Sequence, residues 1–270
     1  MRIAFLVNDF PRLSETFILN QVTGLLDRGH NVDIFTDHIE DWSMVHPDVN
    51  RYQLWERTYA MQTIPQNYFW RILKGLWLGV THFHKSPRLI WRSLNVFAYG
   101  EQALGLWLLY SAITLLDKPQ TYDIIHCQFG TQGYRGLTFK RVLQPTAKLL
   151  VMFRGHDISC YVNEGGDKVY QQIFKDVDYC LANCDFFRQR VIDLGWDSNK
   201  ISVHFSGLNV KKFNFCPRSL KPGQTVRIAT TGRLVEKKGI EYAIRAVAKQ
   251  AKQFPKIEYY IMGDGSLRQS

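Results

Sequence analysis

Cysteine is sparse in this chain and follows no metal-binding pattern. The five cysteines among 270 residues are Cys127, Cys160, Cys180, Cys184 and Cys216. Cys180 and Cys184 have neither a second cysteine pair nor a histidine at zinc spacing, which argues against a structural zinc site. An odd, scattered set also argues against a disulfide framework. We expect reduced, mostly buried thiols in a cytoplasmic protein.

Long apolar runs are missing as well. The longest uncharged apolar stretch covers residues 102–116, which is shorter than the ~20 residues that span a bilayer. The N-terminal apolar run stops at Asn8, Asp9 and Pro11, too early for a signal peptide, and predicts a first strand. No Gly-x-Gly-x-x-Gly follows that strand, so a dinucleotide dehydrogenase is not indicated.

Acidic residues are outnumbered by basic ones. There are 24 Asp and Glu against 34 Lys and Arg, a net charge of +10. This charge favours anionic partners such as nucleotides, acidic lipid surfaces or nucleic acid. No recognisable RNA- or DNA-binding module accompanies it, so nucleic acid is not a predicted partner. A hydrophobic content of 46% and a charged content of 21% are typical of a globular chain.

Strand and helix patterns alternate along the chain. Strands are predicted at residues 3–7, 31–36, 124–127, 149–153, 179–182, 201–204, 226–231 and 258–262. A first helix is predicted from Ser14, as its N-cap, to about Arg28, with Gly29 as C-cap, and a later amphipathic helix at 240–253. This βαβ spacing predicts an α/β fold with a mainly parallel sheet, which binds ligands at the carboxyl ends of its strands.

An aromatic, basic segment at residues 65–117 interrupts this rhythm and is predicted to be helical. Seven basic residues and one acidic residue lie between Arg51 and Gly100. Two interpretations stay open: amphipathic helices that lie on an anionic membrane, or a helical subdomain packed on the core with its basic side chains solvated. We predict an N-terminal Rossmann-like domain at 1–215, a linker at 216–225 and the start of a second domain at 226–270.

Five short motifs follow predicted strands, where such a sheet would bind its ligand. Four lie in the first domain, and their candidate residues are Ser14, Glu15 and Thr16; His126; His156 and Asp157; and Gly207 and Asn209. A His-Asp pair at a strand end can hydrogen-bond sugar hydroxyls or position a leaving group. Taken singly, each motif can also be an ordinary turn, and a lone histidine is more often structural than catalytic.

The fifth motif, Gly-Arg-Leu-Val-Glu-Lys-Lys-Gly, lies between a strand and a helix. Gly232 and Gly239 let the backbone approach a phosphate, Arg233 and Lys238 supply positive charge, and the following helix offers free N–H groups. This combination predicts an anion site of the kind that holds a diphosphate.

Together these motifs resemble those of the retaining glycosyltransferases of family 4, which have the GT-B fold of two Rossmann-like domains. The colanic-acid and exopolysaccharide-biosynthesis type is the most similar. The resemblance rests on six segments in order: residues 10–18, 125–130, 154–157, 207–213, 232–239 and 262–265. It implies transfer of a sugar from a nucleotide-sugar donor to a lipid-linked or polysaccharide acceptor, with retention of configuration.

The resemblance also implies roles for individual residues. Arg233 and Lys238 would grip the donor diphosphate, with Lys237 a weaker alternative to Lys238, so that neither a metal nor another cofactor is needed. His156 would face the transferring sugar. Gly263, Asp264 and Gly265 would lie near the nucleotide. The segment Ser14, Glu15 and Thr16 would border the cleft, and His126, Gly207 and Asn209 would face the acceptor side.

Two departures from the family pattern stand out. Gln128 replaces the second histidine of a His-x-His, which would alter acceptor contacts. A pair of acidic residues, seven apart, would follow the Gly-Asp-Gly tip, and the sequence stops at Ser270 before either. We therefore expect a truncated enzyme with poor turnover. The alternative is a non-catalytic protein that binds an acceptor, a membrane surface or a complementary chain. The expected location is the cytoplasm, including the inner face of the plasma membrane.

Overall fold

The computed structural model describes residues 1–43, 45–116, 121–142 and 145–269. They form two compact units, one at Met1–Leu208 and the other from Asn209 onward. The domain limits predicted from sequence remain predictions, and two of their end points, residues 117 and 270, lie outside the described residues.

A seven-stranded parallel sheet forms the centre of the first unit. Its strands are β1 (Arg2–Phe10), β2 (Asn31–Ile39), β3 (Thr58–Ala60), β4 (Ile124–Cys127), β5 (Lys148–Phe153), β6 (Tyr179–Ala182) and β7 (Ile201–Val203). The strand order is β3-β2-β1-β4-β5-β6-β7, and every neighbouring pair is parallel. The order reverses between β1 and β4, which is where open sheets of this kind bind ligands. The predicted α/β class is confirmed.

Helices cover both faces of this sheet. The helices of the first unit are α1 (Thr16–Leu26), α2 (Pro47–Arg51), α3 (Tyr68–His82), α4 (Pro87–Ser93), α5 (Val96–Tyr99), α6 (Glu101–Leu104), α7 (Trp107–Leu116), α8 (Gly133–Val142), α9 (Cys160–Gly165), α10 (Gln171–Phe174) and α11 (Asp185–Asp193). Alternate residues of β1 enter different apolar clusters: Phe5 joins Ile18 of α1, and Leu6 joins Leu137 of α8. Burial on both faces explains why the strand reads as a continuous apolar run.

The start of α1 differs from the prediction. Its N-cap is Glu15 without a side-chain cap, and Ser14 is not a capping residue. The reason is a preceding turn in which the N–H of Glu15 donates to the carbonyl of Arg12 at 3.0 Å, so the helix begins later. At the other end the last helical residue is Leu26, and Gly29 terminates the turn with a left-handed φ of 77°, as glycine does readily.

The predicted helical insertion is present as α3 to α7. Its own small core contains Leu78 of α3, Ile90 of α4 and Leu109 and Tyr110 of α7. The hydroxyl of Tyr110 donates to the carbonyl of Arg71 at 2.8 Å and ties α7 to α3. No helix in the described ranges is long and apolar enough to cross a membrane.

The second unit contains two parallel strands, β8 (Val226–Thr231) and β9 (Ile257–Met262), and the helix α12 (Ile240–Ala251) between them. These match the predicted elements closely. Among the second unit's residues that the structure describes, none is fully buried.

The thiols fit the predicted pattern only in part. All five cysteines are unpaired, but only Cys127 and Cys180 are buried, whereas Cys160 and Cys216 are exposed. Burial raises the pKa of the Cys127 and Cys180 thiols well above the ordinary value. The expectation that most thiols are buried is therefore wrong, because two of the five lie in exposed segments.

Candidate functional site

A buried carboxylate fixes the carboxyl end of β5. Asp157 is 2% exposed, and its oxygens accept hydrogen bonds of 2.8–3.2 Å from the backbone N–H groups of Gly130, Arg154, Gly155 and Ile158. A buried charge is tolerated when several donors satisfy it. Since Gly130 belongs to the loop after β4, Asp157 ties two neighbouring strand ends together. It has the surroundings of a positioning residue, and its predicted catalytic role stays a prediction.

The loop after β4 packs directly against the carboxyl end of β5. A Cβ placed on Gly130 would lie 2.5 Å from Cε1 of Phe153 and 2.7 Å from the hydroxyl of Tyr170. That hydroxyl donates to the backbone carbonyl of Asp157 at 2.6 Å. Only glycine fits the close approach, so packing and hydrogen bonding both fix the two strand ends.

His156 lies beside Asp157 but has a different environment. The two residues share one short 3-10 turn, His156–Ile158, in which Asp157 is buried and His156 is exposed. The structure therefore leaves the His156 imidazole accessible at the strand end. This placement suits the predicted contact with a bound sugar, which stays a prediction.

Arg154 connects the end of β5 to its neighbours and was not among the predicted site residues. Its guanidinium donates to the side-chain oxygen of Gln128 at 2.8 Å and to the hydroxyl of Ser206 at 3.3 Å, and it lies 4.2 Å from the ring centroid of Phe17. Burial lowers the pKa of Arg154 to about 10, so the group stays charged at neutral pH. The sequence did contain one signal for this residue, because Arg154 is a charged residue directly after a predicted buried strand.

His126 has the environment of a core histidine. It is 6% exposed, and its ring centroid lies 4.9 Å from that of Phe5 in an edge arrangement. Burial, with a smaller effect from the Arg154 charge, lowers the pKa of His126 to about 3, so the imidazole is neutral at physiological pH. Its predicted contact with an acceptor stays a prediction.

The start of α1 and the loop after β7 lie at the same edge of the sheet. Ser14 and Thr16 are exposed and Glu15 is half-buried. One turn into the helix, the side-chain amide of Asn20 donates to the carbonyl of Gly207 at 3.3 Å. The structure thus brings two of the predicted cleft segments together.

Asn209 has a local structural role at the start of the second unit. Its side-chain oxygen accepts a hydrogen bond from the backbone N–H of Lys211 at 3.1 Å and caps the short turn Val210–Lys212. Its predicted acceptor-side role stays a prediction.

In the second unit the loops after β8 and β9 are joined to each other. The N–H of Gly232 donates to the carbonyl of Met262 at 3.0 Å, and the N–H of Leu234 donates to the carbonyl of Asp264 at 2.9 Å. The predicted diphosphate-binding and nucleotide-proximal segments therefore meet at the carboxyl ends of two paired strands.

Glycine is required where these two loops touch. A Cβ on Gly263 would overlap the carbonyl of Gly232, and one on Gly265 would overlap the carbonyl of Leu234. The obstacle in both cases is backbone, which cannot move aside as a flexible side chain can. The two glycines are thus explained by the loop contact, without reference to a ligand.

The cations of the β8 loop are accessible. Arg233, Lys237 and Lys238 are exposed. Gly239 follows with a left-handed φ of 63°, and α12 begins directly after it without a side-chain cap. The first-turn N–H groups of such a helix have no intrahelical partner, which makes the turn suited to an anion.

Asp264 is largely solvated at the neighbouring tip. One of its oxygens accepts from the N–H of Gly265 at 2.8 Å, and the other lies 3.4 Å from the guanidinium of Arg268. No three His, Cys, Asp or Glu side chains in the described parts of the chain are grouped so as to hold a metal ion.

Three curated proteins are similar to nearly the whole chain, whereas no family model matches it. The protein named as the colanic acid biosynthesis glycosyltransferase WcaL is 29% identical in both Salmonella typhimurium and Escherichia coli, over 98% of this chain and 64% of the relative. The amylovoran biosynthesis glycosyltransferase AmsK of Erwinia amylovora is 30% identical over 99% of this chain and 65% of its own length. The chain thus spans slightly less than two thirds of these relatives.

Solved structures are similar in fold at low sequence identity. The lipopolysaccharide outer core galactosyltransferase WaaB matches with a TM-score of 0.53 at 16% identity, over 100% of this chain and 63% of that one. HepE of Anabaena, solved with UDP and glucose, matches with a TM-score of 0.57 at 13% identity, over 98% and 61%. TarM of S. aureus, solved with UDP, matches with a TM-score of 0.59 at 11% identity, over 99% and 73%. These likenesses and the strand order show an α/β fold of the GT-B type.

Proposed function

We propose that this chain is a retaining glycosyltransferase that moves a sugar from a nucleotide-sugar donor to a lipid-linked or polysaccharide acceptor in exopolysaccharide synthesis. One observation carries the proposal: the basic β8 loop and the glycine-rich β9 loop are joined at paired strand ends, beside the uncapped start of α12. The relatives named for colanic acid and amylovoran biosynthesis support the reaction class.

In the proposed reaction an acceptor hydroxyl oxygen forms a bond to the anomeric carbon of the donor sugar. The bond from that carbon to the diphosphate oxygen breaks, its electron pair leaves with the nucleoside diphosphate, and the hydroxyl proton is released to a phosphate oxygen or to water. Negative charge grows on the departing diphosphate. We assign its stabilisation to Arg233 and Lys238 and to the first turn of α12, with no metal in the step.

The first unit would supply the acceptor side. His156, exposed at the end of β5, contacts the transferring sugar in this proposal, while Asp157 and Arg154 hold that strand end in place. Ser14 and Thr16 are exposed near the same edge and would contact the acceptor.

The proposed location is the cytoplasm, at the inner face of the plasma membrane. A net charge of +10 and the basic helical insertion favour an anionic surface. A lipid-linked acceptor would be met there, which makes the membrane a natural place for the transfer.

Nucleotide binding to the purified chain tests the proposal directly. We would measure the thermal stability of the protein with UDP, GDP and ADP and with their glucose conjugates. A ligand that binds the folded state raises the melting temperature. We expect one base to stabilise the wild type and Arg233→Ala to lose about tenfold or more in affinity, as expected when a charge-assisted hydrogen bond is removed.

Arg227→Ala is the matched control. Arg227 is an exposed cation at the opposite end of β8, where its Nε lies 3.0 Å from Glu258. Its loss changes the net charge of the chain equally but leaves the β8 loop intact. If no nucleotide stabilises the wild type, or if both variants weaken binding to the same extent, the assignment of the diphosphate site is wrong.

A further inference from the structure

Helix α3 of the insertion carries a continuous apolar face that remains exposed. It comprises Phe69, Trp70, Leu73, Leu76, Trp77 and Val80, which recur at helical spacing and are 43–77% exposed. The opposite side of the helix faces the insertion's own core through Leu78. A contiguous patch of large apolar side chains on a globular protein marks a site of interaction with another protein or with a membrane.

An apolar groove borders this face. It has a volume of about 500 Å³ and runs between α3, α4 and the start of α7. Its lining is almost wholly hydrocarbon and includes Tyr68, Leu76, Phe83, Trp91, Leu94 and Leu104. A groove of this chemistry suits a hydrocarbon chain, since it offers few polar groups to a charged or peptide ligand.

One glycine keeps the groove open. Gly75 and Gly79 both line it, but a Cβ on Gly75 would lie 2.8 Å from Leu106, whereas a Cβ on Gly79 would meet nothing within 4 Å. Gly75 is thus explained by helix packing, and Gly79 is not. Glycine within a helix costs about 1 kcal/mol relative to alanine, and the space that Gly79 leaves belongs to the groove.

The charge of the insertion favours an anionic surface. No Asp or Glu occurs between Arg57 and Gly100, whereas Arg71, Lys74, Lys85, Arg88 and Arg92 all lie in this stretch. A second copy of the chain, paired through the insertion, would bring two strongly basic segments together. Exposed tryptophans beside basic residues are instead typical of helices that lie in a bilayer interface.

We propose that the groove holds the hydrocarbon chain of a lipid while the aromatic, basic insertion that contains it rests on an anionic bilayer. The exposed face of α3 enters the headgroup boundary, and a chain drawn from the bilayer lies along Gly79. This inference deepens the acceptor and membrane part of the proposed function, because a groove beside the membrane contact would position a lipid-linked acceptor.

Vesicle binding by the full chain tests it. We would compare pelleting with phosphatidylcholine vesicles and with vesicles that contain about 30 mol % phosphatidylglycerol, at low salt and at about 0.5 M salt. Gly79→Leu fills the groove from a position where the backbone has room. Thr81→Leu is the matched control, because it adds the same side chain to an exposed position of α3 outside the groove.

We expect the wild type and Thr81→Leu to bind the anionic vesicles, with weaker binding at high salt, and Gly79→Leu to bind about tenfold more weakly because chain burial is lost. Melting temperature and the nucleotide response, measured on all three proteins, confirm that each is folded. They also separate failure of this inference from failure of the donor site.

Three outcomes would overturn the inference. Absence of binding to anionic vesicles would remove the membrane contact. Equal binding by Gly79→Leu and the wild type would leave the groove without a lipid chain. A dimer in solution that Gly79→Leu converts to a monomer would make a second copy the occupant.

Discussion

At the end of β5 a buried carboxylate accepts hydrogen bonds from four backbone N–H groups. At the end of β8, in contrast, exposed cations extend from a loop that backbone hydrogen bonds join to the β9 loop. Asp157 and Asp264 show the contrast most directly. Each follows a strand of a parallel sheet, but the first is enclosed and the second is solvated. Similar local sequence has therefore produced a fixed strand end in one unit and an accessible one in the other.

This difference suggests that the strand ends of the two units have different roles. The first unit holds its strand ends rigidly, so that an exposed side chain such as His156 has a defined position. The second unit leaves Arg233 and Lys238 exposed to solvent, which is what the proposed contact with a diphosphate requires. Substitutions at the two tips should accordingly affect different quantities, folding stability in one and affinity in the other.

The largest effect is expected from Asp157→Asn. The new amide has the shape of the carboxylate, but it loses the negative charge and directs N–H donors at backbone N–H groups. We expect the free energy of unfolding to fall by about 3 kcal/mol, since buried groups left without partners cost about this much. Urea unfolding followed by tryptophan fluorescence would measure the loss.

Asp264→Asn is the matched comparison in the second unit. Its carboxylate is solvated and its ion pair with Arg268 is exposed, so unfolding should not change measurably. If the two variants lose the same stability, the contrast between an enclosed and an accessible tip does not hold.

A second effect concerns pH and the buried His126. Its pKa of about 3 in the folded protein is below the ordinary 6.5, so only the unfolded chain takes up this proton between those values. The contribution of His126 to stability is complete above pH 6.5 and is lost as the pH falls toward 3. His126→Phe should therefore remove about 1.4 kcal/mol per pH unit from the pH dependence of unfolding between pH 6 and pH 4.

The comparison of wild type and His126→Phe contains its own control. Above pH 7 the imidazole is neutral in both states, so the two stability curves should run parallel and differ only through packing against Phe5. Curves that stay parallel down to pH 4 would show that His126 takes up its proton in the folded state as well.

Much of the fold could be predicted because buried faces require apolar residues at the spacing of a strand or a helix. The continuous apolar run of β1 follows from its burial on both faces. The amphipathic pattern of α12 was enough to predict that helix, although none of its residues is fully buried. The edge strand β3 was missed. It has only three residues, Thr58–Ala60, and its pairing with β2 is a tertiary contact without a local signature.

The site was predictable in position but less so in the direction of its side chains. The strand pattern placed His156 and Arg233 after the carboxyl ends of strands, where the structure also has them, and their contact with a ligand stays a prediction. Asp157 and His126 have the same sequence signals, but both are buried, which depends on long-range packing against Gly130 and Phe5. Arg154 was overlooked because its partners come from α1, the loop after β4 and the loop after β7, far apart in the sequence.

The smallest effect is expected from Lys237→Ala and Lys238→Ala, which compare how much each lysine of the β8 loop contributes to nucleotide affinity. Both lysines are exposed on the short turn Glu236–Lys238, but Lys238 directly precedes Gly239 and the first turn of α12. If the diphosphate lies at that helix start, Lys238→Ala should weaken binding of the preferred nucleotide diphosphate by about tenfold and Lys237→Ala by less than about threefold. Isothermal titration at low and high salt would measure both, with unchanged melting temperatures as the check on folding. A larger loss from Lys237 would move the diphosphate away from the helix start and toward the Leu234 side of the loop, where the β8 and β9 loops are hydrogen-bonded to each other.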